Sequence, residues 1–260
     1  MSATSPTSPF DLTGRLALVT GSSRGIGAII ARALADAGAT LVLNGVDEAR
    51  LEAAAAALAQ ETGREVHHRA FDVTDEGALE AAVASIESEI APIDVLVNNA
   101  GIQHREPLLE VSRADWDRVL AVDLTSAFLV GRAVARGMTA RGRGKIVNIA
   151  SVQADLARPT IAPYTAAKGG LRNLTRAMAA EWAGSGLQIN AVAPGYIHTE
   201  MTQALVDDPE FDAFIKRRTP AGRWGTPKDI GGPVVWLCSD ASDFVNGQVV
   251  FVDGGMTVIV

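Results

Sequence analysis

Seven short stretches of the chain are apolar almost without interruption: RLALVT, TLVLN, REVHHRAF, IDVLVNN, KIVNIAS, LQINAVA and QVVFVD, beginning at residues 15, 40, 64, 93, 145, 187 and 248. A strand wet on one face alternates polar and apolar residues, whereas one covered on both faces stays apolar throughout, so these runs predict a buried parallel sheet. The intervals between them carry a helical period. Ile26, Ile29, Ile30, Ala33, Leu34 and Ala37 fall on one face of a helix opened by Gly25, and Gly38 supplies its stop. LEAAAAALAQ is a second helix former.

Strands that alternate with helices are joined by right-handed crossovers, and the result is a sheet with helices on both faces. The predicted class is α/β: one Rossmann-type doubly wound domain over residues 11–260, built on a seven-stranded parallel sheet. Its ligands should lie beyond the carboxyl ends of the strands. Residues 1–10, MSATSPTSPF, are expected to form a flexible tail. The polar, helical stretch around 200–222 is expected to close over a substrate as a lid.

With 260 residues and 48% hydrophobic composition the chain suits one such domain. A net charge of -7 argues against nucleic-acid or anionic-membrane partners. No run of about 18 apolar residues offers a membrane span, and no secretory pattern opens the sequence, so a cytoplasmic location is expected. Cys238 has no cysteine partner, lies in the apolar VVWLCSD, and reads as packing. The basic run Arg132, Arg136, Arg141, Arg143 and Lys145 tracks a helix end and a turn, which predicts a solvated face. No metal site is predicted.

The first strand runs into TGSSRGIG, Thr20 to Gly27. Glycines there permit a tight turn and a close approach of backbone to phosphate, and the helix that follows presents its amino end to the anion. Its position between strand and helix makes Gly21, Ser23, Arg24, Gly25, Ile26 and Gly27 a predicted dinucleotide cradle. Farther on come FDV at 71–73, NNAG at 98–101, Ser151, the pair Tyr164 and Lys168, and PG at 194–195. Alone, NNAG reads equally as an ordinary turn.

In this order and spacing the landmarks resemble the short-chain dehydrogenase/reductase family over nearly the whole chain. The resemblance implies that Asp72 and Val73 contact the adenine of a nicotinamide cofactor and that Asn99, Ala100 and Gly101 floor its ribose. It further implies that Pro194, Gly195, Ile197 and Thr199 seat the nicotinamide, and that such proteins are commonly homotetramers. The apolar terminal MTVIV offers a surface suited to subunit contact.

An acid at the end of the second strand would bind a ribose 2'-hydroxyl and repel a 2'-phosphate. Asn44, Gly45 and Val46 stand there instead, with Asp47 following, and Arg24 offers a fork of donors to a phosphate. NADP is therefore favoured, with NAD possible.

Tyr164 and Lys168 stand four apart on a predicted helix and share a face. A phenol ordinarily titrates near ~10, and an adjacent ammonium stabilises the phenolate, which makes proton transfer feasible. The resemblance implies that Tyr164 exchanges the proton with the substrate, Ser151 orients the substrate oxygen, and Lys168 also holds the nicotinamide ribose. Asp123 stands where relatives usually carry asparagine, whose backbone carbonyl holds a relay water. A carboxylate there is expected to pair with Lys168 and alter the pH profile.

Blocks such as SVQADLARPTIAPYTAAKGG and RTPAGRWG resemble members of the family that act on sugar acids. This implies interconversion of D-gluconate and 5-keto-D-gluconate, with reduction of another keto sugar or a 3-oxoacyl thioester as the alternative. A cofactor-binding sensor without turnover is a further alternative. A sugar acid needs a cation for its carboxylate. Arg105 is the first candidate, Arg158 and His104 follow, Gln153 suits a sugar hydroxyl, and Tyr196 and His198 read equally as substrate contacts or lid packing.

Overall fold

The computed structural model describes residues 8–199 and 202–259. Residues 1–7 of the expected tail, and Glu200 and Met201 at the start of the expected lid, lie outside the described residues.

The chain alternates β1 (Leu16–Val19), α1 (Gly25–Asp36), β2 (Thr40–Gly45), α2 (Glu48–Thr62), β3 (Val66–Ala70), α3 (Glu76–Glu89) and β4 (Ile93–Asn98). Next come α4 (Arg113–Leu120), a π-helical turn (Ala121–Thr125), α5 (Ser126–Arg141), β5 (Gly144–Ile149), α6 (Ala162–Trp182) and β6 (Leu187–Pro194). The last part holds α7 (Gln203–Val206), α8 (Pro209–Arg218), α9 (Pro227–Cys238) and β7 (Val249–Val252). The seven strands form one parallel sheet in the order β3-β2-β1-β4-β5-β6-β7.

The near-continuous apolarity of the strands follows from two cores. Ala17, Val19, Leu41, Leu43, Val95 and Val97 face one side, packed with Ile30, Leu34, Leu51, Val234 and Leu237 of the helices. The intervening Leu18, Val42, Leu96 and Ile146 face the other, packed with Leu79, Ile86, Val134 and Met138. Successive side chains of a strand point to opposite faces, so both parities must be apolar when both faces are covered. The edge strand β3 is only half-buried and carries His67, His68 and Arg69, with His68 on Glu48 at 3.0 Å and Arg69 on Glu89 at 2.8 Å. Charged edges of this kind resist pairing with another sheet.

The basic run is neutralised residue by residue. Arg132 pairs with Glu76, Arg136 with Glu80, Arg141 with Glu87, Arg143 with Asp94 and Lys145 with Asp243. The expected solvated face fails at Lys145, which is 3% exposed because it lies within β5. Cys238 is wholly buried in α9, and burial pushes its thiol up to about 12.

Candidate active site

In the order β3-β2-β1-β4 the direction of sheet growth reverses between β1 and β4, which opens a crevice at the carboxyl ends of those two strands. The glycine-rich turn leaves β1 and the NNAG stretch leaves β4 at that point. Thr20 joins them: its hydroxyl accepts the Asn99 and Ala100 backbone N–H groups at 3.0 Å each. The Asn99 side-chain amide in turn donates to the Thr20 and Gly21 carbonyls at 2.9 and 3.0 Å. A Cβ added to Gly27 would stand 2.3 Å from the Gly21 carbonyl oxygen, so the turn folds onto the helix only because glycine is there.

α1 then begins without a side-chain cap on its first N–H groups and without an acid in its first turn. Free donors at the positive end of a helix, beside a turn without side-chain bulk, suit a pyrophosphate, so these residues fit the dinucleotide that the sequence implies. Arg24 is exposed at that entrance. Asn44 is buried at the end of β2, where its amide donates to the Arg69 and Phe71 carbonyls at 3.3 and 3.0 Å. Asp47 caps α2, accepting from the Arg50 N–H at 3.0 Å. Asp72 accepts from the Thr74 backbone and hydroxyl at 2.8 and 2.7 Å, beside the buried Val73.

Tyr164 and Lys168 stand in the first two turns of α6, with the Lys168 Nζ 5.4 Å from the centroid of the Tyr164 ring. Lys168 is 4% exposed and donates to the Ile149 carbonyl at 3.0 Å, which holds α6 to the end of β5. Ser151 follows two residues later and opens the 3-10 turn Val152–Ala154, which packs on α6. Its Oγ accepts the Gln153 backbone N–H at 3.2 Å, so its own proton is left to donate.

Asp123 lies in the π-helical turn, 2% exposed, with Oδ1 accepting the Ile102 N–H at 2.8 Å and Oδ2 3.3 Å from the Lys168 Nζ. Burial raises its carboxyl above the usual range, opposed by the Lys168 charge and the Ile102 amide. A π turn inserts one residue into a helix and turns the side chains after it. Here it stands between α4 and α5 and carries the carboxylate that meets α6.

Beyond β6, the Gly195 N–H donates to the Val252 carbonyl at 3.0 Å, and Ile197 bridges Gly225. The Thr199 N–H donates to the Thr202 hydroxyl at 2.9 Å. Tyr196 sits edge-on to Phe211 and Trp224, each with ring centroids 5.7 Å away. Arg158 lies 5.8 Å from the Phe211 centroid and reaches the Tyr196 hydroxyl at 3.5 Å. Gln153 is 8% exposed, and its Oε1 has no hydrogen-bond partner. Arg105 is exposed and donates to Gln103 at 3.2 Å. His104 is held by Glu106 at 2.8 Å, and His198 by Gln203 at 2.7 Å. A cleft of about 270 Å³ opens between Tyr196, Thr219, Arg223, Phe251 and Asp253.

A sequence model of the family described as enoyl-(acyl carrier protein) reductase matches residues 21–257. The chain belongs to the short-chain dehydrogenase/reductase family. It is 55% identical over 249 residues to the gluconate 5-dehydrogenase of Gluconobacter oxydans (strain 621H), covering 96% of this chain and 97% of that one. Against the 5-keto-D-gluconate 5-reductase of Escherichia coli (strain K12) the identity is 49% over 251 residues, covering 96% and 98%. A crystal structure of a gluconate 5-dehydrogenase from Burkholderia cenocepacia J2315, in complex with NADP and tartrate, superimposes with a TM-score of 0.94. Its sequence is 51% identical, and the match covers 97% of this chain and 98% of that one.

Within this short-chain dehydrogenase/reductase the structure brings Tyr164, Lys168 and Asp123 together and sets Ser151 on the adjoining turn. Arg158 and Tyr196 meet beside α8, while among the described contacts none joins Arg105 to that group. Phe211 and Trp224 escape sequence reasoning, since two aromatics 13 positions apart in a polar stretch carry no period. The only signal was the block containing Trp224.

Proposed function

We propose that this chain is an NADP-dependent oxidoreductase of sugar acids that interconverts D-gluconate and 5-keto-D-gluconate. The observation that carries the reading is the buried Lys168 ammonium fixed by Ile149 beside the Tyr164 ring. The high identity to gluconate 5-dehydrogenases supports the choice of substrate.

In the reducing direction Tyr164 passes its hydroxyl proton to the carbonyl oxygen of the keto acid, and Ser151 donates a hydrogen bond to the same oxygen. The Lys168 ammonium stabilises the phenolate left behind. When bound, the nicotinamide cofactor supplies or takes up the hydride. Gly21, Ser23, Arg24, Gly25, Ile26 and Gly27 hold its phosphates, Asp72 and Val73 its adenine, and Asn99, Ala100 and Gly101 its ribose. Pro194, Gly195, Ile197 and Thr199 seat the nicotinamide. The exposed Arg24, with Asp47 turned to the α2 cap, supports a 2'-phosphate.

Arg105 takes the sugar-acid carboxylate, while Gln153, Arg158 and Tyr196 line the substrate space. The residues from Thr202 to Gly222 act as the lid over it, through Phe211 packed on Tyr196. The functional unit is a cytoplasmic homotetramer. Exposed Val258 and Ile259 at the terminal segment support subunit contact, and no helix among the described residues is long and apolar enough to cross a membrane.

The test follows NADPH absorbance in the presence of 5-keto-D-gluconate, other keto sugars and 3-oxoacyl thioesters. The expected result is fastest oxidation with 5-keto-D-gluconate. Preference for a thioester would overturn the substrate, and oxidation by none of them would favour a cofactor-binding sensor.

A further inference from the structure

The loop that leaves β4 alternates along its length. Ile102, His104 and Glu106 are half-buried, whereas Gln103 and Arg105 between them are exposed, as alternate residues of an extended stretch point to opposite sides. Backbone ties both ends of the inward face, the Ile102 N–H to Asp123 Oδ1 at 2.8 Å and the Glu106 N–H to the Thr160 carbonyl at 2.9 Å. Thr160 presents that carbonyl from a φ of 70°, a left-handed conformation that a β-branched residue keeps only when its surroundings enforce it. On the outward face Arg105 donates to Gln103 at 3.2 Å.

Between the two ties the His104 ring holds the loop. Its Nε2 stands 2.8 Å from Glu106 Oε2, and its Nδ1 faces Asp115 Oδ1, in the first turn of α4, at the ion-pair separation of 3.7 Å. Arg118, one turn farther along α4, donates to the same Asp115 oxygen at 2.8 Å, and the Ser112 hydroxyl donates to the other at 2.6 Å. The Ser112 and Arg118 bonds hold the Asp115 carboxyl below the usual range. At the start of the loop Asp123 is paired with Lys168, and the segment before α6 contributes the uncharged Thr160 carbonyl. With the ring protonated, His104 and Arg118 balance Glu106 and Asp115. With the ring neutral, one negative charge is left over and a single ring N–H serves two carboxylates. The carboxylates address different ring nitrogens, which a proton on each satisfies; a metal ion would take one nitrogen alone.

We propose that His104 is a positioning residue for Arg105: its imidazolium ties the loop after β4 to α4, and losing the ring proton as pH rises loosens the loop and weakens binding of the sugar-acid carboxylate. The proposal rests on the reading of Arg105 as the group that takes that carboxylate. Arg105 and a substrate carboxylate both stay charged around neutral pH, so neither gives KM a pH dependence there. Histidine is the side chain that changes charge between about pH 5 and 8.

The test measures KM for 5-keto-D-gluconate at saturating NADPH from about pH 5.5 to 8.5, across the histidine interval, in the wild type, His104→Gln, His104→Arg and Asp115→Asn. We expect the wild-type KM to rise about fivefold across it, as ground-state binding is lost. His104→Gln should show the high KM at every pH, with kcat within about twofold of the wild type at the same pH. His104→Arg keeps its charge throughout and offers donors to two carboxylates, so it should show the low KM at every pH. A wild-type KM that is flat with pH, or a raised KM in His104→Gln that His104→Arg does not restore, would overturn the proposal.

Asp115→Asn removes the anchor on α4 and keeps the ring, so it should raise KM at the acid end as His104→Gln does. It keeps the proposal open to refutation if the ring variants do not fold, since an unchanged KM there would overturn it. Arg105→Ala separates the two readings. If it leaves KM unchanged, the carboxylate assignment fails and the proposal with it; if it raises KM while His104→Gln does not, the proposal alone fails.

Discussion

The Lys168 Nζ donates to the Ile149 carbonyl at 3.0 Å, which fixes a helix side chain to the end of a strand two residues ahead of Ser151. Tyr164 on α6 and Ser151 after β5 are thus set relative to one another by one hydrogen bond between α6 and β5. Below it a buried chain runs from Asn98 to Asn148 at 2.9 Å, and from Asn148 to Thr175 at 2.9 Å, joining β4, β5 and α6. Such networks fix one relative placement of their elements, because each member left unpaired costs its full desolvation.

Removing the phenol hydroxyl leaves that scaffold intact. Tyr164→Phe should lower kcat by about a thousandfold, within the range expected for loss of general acid–base catalysis. NADPH affinity by fluorescence titration and the melting temperature should stay near wild type. Turnover at the wild-type rate would show that another group moves the proton.

Cofactor choice should respond to Arg24. It is exposed at the start of α1, while Asn44 is occupied by the Arg69 and Phe71 carbonyls and Asp47 by the cap of α2. Arg24→Ala should reduce the NADPH-to-NADH ratio of kcat/KM by about tenfold or more, the size of one lost charge-assisted hydrogen bond. Steady-state kinetics with both cofactors checks it; an unchanged ratio would place the 2'-phosphate elsewhere.

The glycine turn should tolerate no side chain at Gly27, where a Cβ meets the Gly21 carbonyl oxygen at 2.3 Å and Ser22 Cα at 2.9 Å. Those two neighbours are backbone, and the third, the Asn99 side-chain nitrogen at 2.5 Å, is itself held by the Thr20 and Gly21 carbonyls, so relief requires the turn to move. Gly27→Ala should cost about 1–3 kcal/mol of stability and weaken NADPH binding together with it. Denaturant unfolding and a cofactor titration measure the two effects.

Much of this was legible in the chain because it rests on short-range pattern. Six of the seven strands announce themselves as apolar runs, while the edge strand β3, VHHRA, carries two histidines and an arginine, and the reversal between β1 and β4 lies where the glycine turn and the NNAG stretch point. Tyr164 and Lys168 are readable because helical spacing alone puts them on one face. The rest depends on contacts between distant segments. Nothing in SAFLV or LAVDL signals a π turn; the meeting of Asp123 with Lys168, 45 positions later, is expected from the family resemblance and not from any local pattern. Lys145 reads as one more surface cation until the chain returns with Asp243. The Tyr196, Phe211 and Trp224 cluster joins three segments that share no period.

Cys238 should be inert while the chain is folded. The thiolate is the reactive form, and burial in α9 pushes the thiol up to about 12, so little of it ionises at neutral pH. A thiol reagent such as DTNB should label no cysteine in the native protein and one per chain in denaturant, since Cys238 is the sole cysteine. Rapid native labelling would mean that α9 opens locally.

Asp229 should set an acid limit on the segment that carries Trp224. Its carboxylate accepts both Arg223 guanidinium nitrogens, at 2.8 and 2.9 Å, and the Thr226 N–H and hydroxyl at 2.6 and 2.7 Å, closing the capping box of α9. These bonds hold the carboxyl well below the usual range, the Arg223 bond contributing most. A depressed carboxyl makes the folded state bind fewer protons than the unfolded one. Its stabilisation is therefore complete above the unfolded value of about 3.9 and is lost as pH falls below that toward the folded value. Asp229→Ala should cost about 1 kcal/mol at neutral pH, as loss of a helix cap does, and melting curves should show the gap from wild type narrowing below about pH 4. Because Arg223 also donates to the Trp224 carbonyl at 2.9 Å, the same variant should raise KM for the sugar acid more than it lowers kcat. A gap in melting temperature that stayed constant down to about pH 2 would mean the carboxylate is not what holds the cap.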